Sequence, residues 1–159
     1  MDSDVVKLLL ALFLVVLNGF FVAAEFSIVK VRYSQIQIKA AEGNAMAKQA
    51  EHLIKHLDEY LSATQLGITL ASLALGWVGE SAMHHVIEKT LHYFSIALVD
   101  STITTISLVI SFLLITIMHI VFGELIPKSI AIRKSEQTAM LIAMPLRLFY
   151  TVFKPFIWS

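Results

Sequence analysis

The strongest constraint on this chain is the run from Thr102 to Phe122, free of Asp, Glu, Lys and Arg, which ends in Gly123-Glu124-Leu125-Ile126-Pro127-Lys128. At ~1.5 Å per residue a helix of that length covers the roughly 30 Å hydrocarbon core of a bilayer. A carboxylate at the end of a membrane span is unfavourable in lipid, and the Gly and Pro around it weaken helical hydrogen bonding there. Together they predict a functional site that handles ions.

Two further apolar stretches extend the membrane reading to the whole chain. Asp4 to Val31 predicts a first span, Leu61 to Val78 a second, and Ser101 to Phe122 the third. The fold class expected is an all-α integral membrane protein. Composition agrees, since 57% of residues are hydrophobic and 15% charged, where a soluble domain carries about a quarter charged. A cleavable signal peptide ending at Val22-Ala23-Ala24 is the competing reading of the first stretch. Asp2 and Asp4 spoil its positive n-region, and the apolar stretch is too long for an h-region.

Between the spans the character changes. Residues 33–59 mix cations and acids with apolar positions, which predicts amphipathic helices broken near Gly43-Asn44 at the membrane surface. Gly79 to Asp100 reads as an external connection with a short amphipathic helix. Residues 126–158 predict an in-plane amphipathic segment, because a fourth crossing would bury Arg147 and Lys154 and contain Pro145 and Pro155. Phe149, Tyr150, Phe153, Phe156 and Trp158 suit an interfacial belt. Lys and Arg are concentrated in the segments after the first and third spans, so the N-terminus is expected outside and the C-terminus in the cytoplasm, in the inner (plasma) membrane.

Several function classes are excluded. Zero net charge and no dense basic face argue against nucleic acid, and the lack of cysteine removes disulfides, thiolate metal sites and thiol nucleophiles. With no Gly-x-Ser-x-Gly, His-Glu-x-x-His or phosphate loop, an enzyme is not expected.

The polar residues within the spans fall on faces. In the first, Asn18, Val22 and Glu25 share one side while Gly19, Ala23 and Ser27 form a small-residue stripe for close helix approach. In the second, Gln65, Thr69, Ser72 and Gly76 align, and Gly67 and Ala71 make a small step on another side. In the third, Thr116, His119 and Gly123 share a late face. A bland reading competes at each position. Ser and Thr bond back to their own helix, His119 satisfies one local partner, Glu25 pairs with Lys30 or Arg32, and Glu124 pairs with Lys128 at i+4. His85, Glu88 and His92 have a spacing that could hold a transition metal, against a simple solvated face.

Leu17-Asn18-Gly19-Phe20-Phe21-Val22-Ala23-Ala24-Glu25-Phe26-Ser27, Gln65-Leu66-Gly67-Ile68-Thr69-Leu70-Ala71-Ser72 and Phe122-Gly123-Glu124-Leu125-Ile126-Pro127-Lys128 together resemble the transmembrane domain of the CorC/CNNM magnesium transporters, also called DUF21. The resemblance covers nearly the whole chain. It implies a homodimer of three-span subunits in the lipid bilayer, with an inward-facing cavity that binds Mg²⁺ and exports it in exchange for Na⁺. Cytosolic CBS modules follow this domain in the family, so the chain is expected to be the membrane part alone. The rival is a membrane scaffold or Mg²⁺ sensor without transport.

By position the resemblance makes Glu124 and the Gly123 carbonyl third-helix metal ligands. Ser72 stands where many relatives have Asn, and Asn18 where many have Ser. Val22 and Ala24 replace two family hydroxyls, which makes Ser27 the candidate substitute. Glu25, Thr69, Gln65 and His119 are expected along the ion pathway, and Pro127, Gly19, Ala23 and Gly67 in structural roles.

Overall fold

The computed structural model describes residues 2–94 and 99–157, and those residues are all helix and short turns, with no strand among them. Helix α1, Ser3–Lys30, contains no proline and runs to Val31, whose extended backbone stops it while its N–H still bonds the Ser27 carbonyl at 2.9 Å. Two short helices follow, α2 (Tyr33–Ala41) and α3 (Ala45–Lys55). The turn between them places Gly43 at φ 94°, and the Asn44 side chain caps α3 by accepting from the Ala47 amide at 3.0 Å.

Helix α4 is longer than expected. It runs unbroken through Leu57–Tyr93, so most of the predicted external connection is helix. The segment from Gly79 holds no proline and is rich in good helix formers such as Ala82, Met83, Glu88 and Lys89. It also has a neighbour to pack on: Gly79 and Ala82 are buried, and a Cβ on Gly79 would lie 3.1 Å from Ile115. The chain turns back beyond Tyr93, and α5 occupies Asp100–Met118.

At the end of α5 the helix does not break, as Gly123 and Pro127 suggest; it widens. His119–Leu125 is π-helical and leads directly into α6, Ile126–Arg133. After a short turn, α7 covers Ser135–Ile157 with Pro145 and Pro155 inside it. Trp158 lies outside the described residues.

Four helices are long and apolar enough to cross a membrane: Ser3–Lys30, Leu57–Tyr93, the continuous Asp100–Arg133, and Ser135–Ile157. That is one more than the three expected from the sequence. Two polar contacts of α7, however, reach α3 and the start of α4: Arg147 donates to Gln49 of α3, and the Tyr150 hydroxyl donates to Glu59 of α4 at 3.0 Å.

Two apolar clusters hold the helices together. The inner one joins α1, α2, α3, α4 and α7 through Phe21, Ile28, Ile36, Leu53, Tyr60 and Leu146. The outer one joins α1, α4 and α5 through Ala11, Leu14, Val15, Leu75 and Ile115. Close approach depends on missing side chains. A Cβ on Gly67 would sit 2.5 Å from the Phe21 ring, and one on Gly19 2.8 Å from Pro127 Cγ. An ion pair between Lys89 and Asp4 joins α1 to α4 at the opposite end from the inner cluster. On α5 the buried line Ile103, Ser107, Ser111, Ile115 faces α4, while Leu108, Phe112, Leu113 and Ile117 stay exposed. Such an apolar flank is stable in lipid and not in water. The chain is a multi-pass membrane protein.

Candidate ion site at the helical widening

Asn18 lies on α1 between Val15 of the outer cluster and Phe21 of the inner one, and is 0% exposed. A buried amide must be paired, and its partners come from two other helices. Its Nδ2 donates to the Gly123 carbonyl at 2.9 Å, and its Oδ1 accepts from the Ser72 hydroxyl of α4 at 3.1 Å.

The widened helix makes that carbonyl accessible. In the π-helical stretch the Ile126 amide bonds back to Val121, five residues earlier, and Pro127 has no N–H to give to Gly123 four residues before it. Gly123 also leaves room for its neighbours. A Cβ there would lie 2.9 Å from His119 Cδ2 and 3.2 Å from Asn18 Nδ2. The Pro127 ring in turn fills the space left beside Gly19, which locks α6 to α1.

The direction of the hydrogen bonds follows from the carbonyl. Gly123 O can only accept, so the Asn18 amide is oriented with its oxygen toward Ser72, whose single proton is used there. His119 Nε2, 3.3 Å from Ser72 Oγ, must therefore be the protonated nitrogen and donate. The chain runs His119 to Ser72 to Asn18 to Gly123. Glu124 completes the group, with Oε1 3.7 Å from His119 Nε2 and its side chain 48% exposed. It does not pair with Lys128, whose ammonium sits 4.5 Å above the Phe26 ring.

A cavity of about 230 Å³ adjoins the cluster between α4 and α5. Ser72, Thr116 and His119 line its polar end, Leu75 and Ile115 its apolar wall, and Glu80 its far end toward the Asp4–Lys89 pair. Glu80 was not singled out from sequence, yet it extends the stripe Gln65, Thr69, Ser72, Gly76 by one more helical turn.

Other expected site residues lie elsewhere. Ser27 bonds to its own helix at the Ala24 carbonyl, 3.0 Å away, and stands nine residues from Asn18, about 13 Å along the axis. Thr69 likewise bonds back to Gln65 O at 2.9 Å, and both are exposed. Glu25 is half-buried and makes no ion pair with Lys30 or Arg32. Ala23 is half-buried on α1. Among the described residues no three His, Cys, Asp or Glu side chains converge as a metal group; Glu88 is half-buried 3.8 Å from His84, and His85 and His92 are exposed. What the widening assembles instead is one carboxylate near the His119 imidazole, which joins it to hydroxyl, amide and carbonyl oxygens. Hard cations such as Mg²⁺ favour the oxygens of that set.

The chain matches the Cyclin M transmembrane N-terminal domain over residues 9–159. It is 49% identical over 158 residues to the UPF0053 protein YhdT of Bacillus subtilis, covering 98% of this chain and 33% of that protein. It is 46% identical to YhdP of the same organism, over 98% of this chain and 34% of YhdP. A more distant relative, 29% identical over 99% of this chain and 36% of its own length, is the polyamine export protein of Haemophilus influenzae. The chain spans about a third of the length of these curated relatives. With the helical widening, the Gly-Glu-x-x-Pro-Lys element and this match in view, the chain belongs to the Cyclin M (CNNM) transmembrane domain family.

Proposed function

We propose that this chain is the membrane domain of a Mg²⁺ transporter, exporting Mg²⁺ in exchange for Na⁺ as a homodimer whose longer form carries cytosolic CBS modules. The observation that carries the reading is the convergence of Asn18, Ser72 and the Gly123 carbonyl beside Glu124. Asn18 Oδ1, Ser72 Oγ, Gly123 O and the Glu124 carboxylate supply oxygens from three helices, and retained waters complete about six ligands. Without the ion the same atoms satisfy one another, so binding exchanges protein hydrogen bonds for metal ligation. That exchange keeps affinity low enough for release.

Three spans are proposed, α1, α4 and α5 with its widened end, and α7 lies in the plane of the inner surface. The contacts of Arg147 and Tyr150 with α3 and the start of α4 support that placement. The N-terminus is then outside and Glu124 lies on the cytoplasmic side of the cluster. The cavity ending at Glu80 then lies on the outer side of the cluster.

The test is Mg²⁺ titration of the purified protein, with Ca²⁺ as control. Glu124→Ala is expected to abolish binding and Ser72→Ala to weaken it about tenfold, the loss of one good ligand contact. Unchanged affinity in both variants refutes the site. Flux that persists in Glu124→Ala proteoliposomes favours a scaffold or sensor.

A second reading, export of an aliphatic polyamine, is favoured by the polar–apolar–polar cavity and by the name of one relative. Glu80 stands eight residues from Ser72, about 12 Å along α4, a span suited to two ammonium groups on a methylene chain. Spermidine flux lost in Glu80→Gln, with Mg²⁺ binding intact, would select this reading.

A further inference from the structure

Where α2 meets the turn between α6 and α7, a cavity of about 380 Å³ opens. Its lining is rich in donors: Lys39, Arg133, Lys134, the Ser135 hydroxyl, and the Gln35 and Gln137 amides. The one acid in the wall, Glu136, is engaged by Lys39. Arg133 and Lys134 have no carboxylate partner among the described residues, and three cations less one carboxylate leave the wall with two net positive charges. A wall of this kind selects an anion.

A second groove, about 250 Å³, shares Arg133 and runs along α6 past Ile132, Ser129 and Lys128 to Leu125, with the Lys128 ammonium turned toward the Phe26 ring. Ile132 and Leu125 are 42% and 56% exposed. A cationic cavity joined at one arginine to a groove with two exposed apolar side chains has two solvents to satisfy, water and hydrocarbon. A soluble phosphate would fill the first and leave the second uncovered.

We propose that this composite surface binds an anionic phospholipid, with its phosphate between Arg133 and Lys134 and the start of an acyl chain along Ile132 and Leu125. The guanidinium offers a planar pair of donors that matches two phosphate oxygens, and the lysine adds a point charge. Basic pockets at the cytoplasmic ends of membrane helices meet such headgroups directly, and the proposed orientation puts this one in the anionic leaflet. The chain end of the groove is Leu125, the neighbour of Glu124, so a seated lipid braces the helix that carries the carboxylate. The lipid site stands whichever ion the cluster binds.

The test is lipid retention by the full-length protein in neutral detergent, read by native mass spectrometry with phosphatidylglycerol, phosphatidylcholine or inorganic phosphate added. Phosphatidylglycerol is expected to be retained over phosphatidylcholine, with at least tenfold weaker retention in the R133Q/K134Q double variant. K48Q/K154Q, which removes two exposed cations outside the cavity, is expected to retain it fully. I132Q, on an exposed position that folding tolerates, is expected to weaken long-chain lipid and leave a short-chain analogue unaffected. Equal retention of the two lipids, or equal loss in both double variants, overturns the proposal. Inorganic phosphate that displaces phosphatidylglycerol at equal concentration overturns the lipid assignment in favour of a soluble phosphate.

Discussion

Asn18→Asp changes one atom of the candidate site and separates its resting arrangement from its ion-bound one. The substitution puts an oxygen where Nδ2 now donates to the Gly123 carbonyl at 2.9 Å, so a hydrogen bond becomes two acceptors facing each other in a fully buried place. The unpaired carbonyl costs about 1–3 kcal/mol, and burial of a carboxylate without a partner adds more. The donation from Ser72 survives. A net loss of at least ~3 kcal/mol corresponds to about 6–12 °C in the unfolding midpoint of a chain this size.

A divalent cation reverses the sign. The new carboxylate and the carbonyl would both ligate it, and a cation at 100 times its Kd returns about 2.7 kcal/mol. Thermal unfolding in detergent, in EDTA and then in excess Mg²⁺ at matched ionic strength, should therefore show a low midpoint that Mg²⁺ largely restores. The Mg²⁺ shift should exceed that of the unaltered chain. A variant as stable as the parent in EDTA, or one whose Mg²⁺ shift merely equals the parent's, refutes the reasoning.

Three other outcomes are expected. Gly67→Ala puts a Cβ 2.5 Å from the Phe21 ring and should destabilise by about 1–3 kcal/mol; adding Phe21→Leu should recover most of the loss in a thermal melt. Pro127→Ala restores an N–H that competes with Asn18 for the Gly123 carbonyl, so amide exchange should slow across His119–Leu125 while Mg²⁺ affinity falls. Burial, and then the nearby Arg147 charge, hold the His52 pKa below its ordinary value of 6.5. Folding thus favours its neutral form, so stability should be full above pH 6.5 and fall as pH drops below it toward the folded value; His52→Gln should flatten that slope in melts across pH.

The chemistry of the site was more legible than its geometry. Asn18, Ser72 and Glu124 stand out because an amide, a hydroxyl at helical spacing and an acid are each hard to explain in lipid, and the first two do meet. Spacing alone also put Gln65 and Thr69 on the Ser72 face. One face of a long helix, though, is wide enough to turn Ser72 inward while those two stay exposed. Ser27 stands apart from the cluster for a similar reason, since a hydroxyl on a buried helix face can satisfy itself at the Ala24 carbonyl without reaching another element. The widening at His119–Leu125 has no local signature that separates it from a break. Gly and Pro permit either, and the packing of Pro127 on Gly19 decides.

The length of α4 couples the two membrane faces mechanically. Its 37 residues make a rod of about 55 Å, nearly twice the roughly 30 Å of hydrocarbon. Tyr60 anchors one end among the inner helices, the Lys89–Asp4 clasp holds the other, and Ser72 sits close to the middle. Pivoting such a rod by about 10° at Ser72 would swing each tip by about 5 Å, which neither the Tyr60 packing nor the Lys89–Asp4 clasp allows while it holds. Fastened at both tips, the rod keeps Ser72 at a constant depth between the two faces.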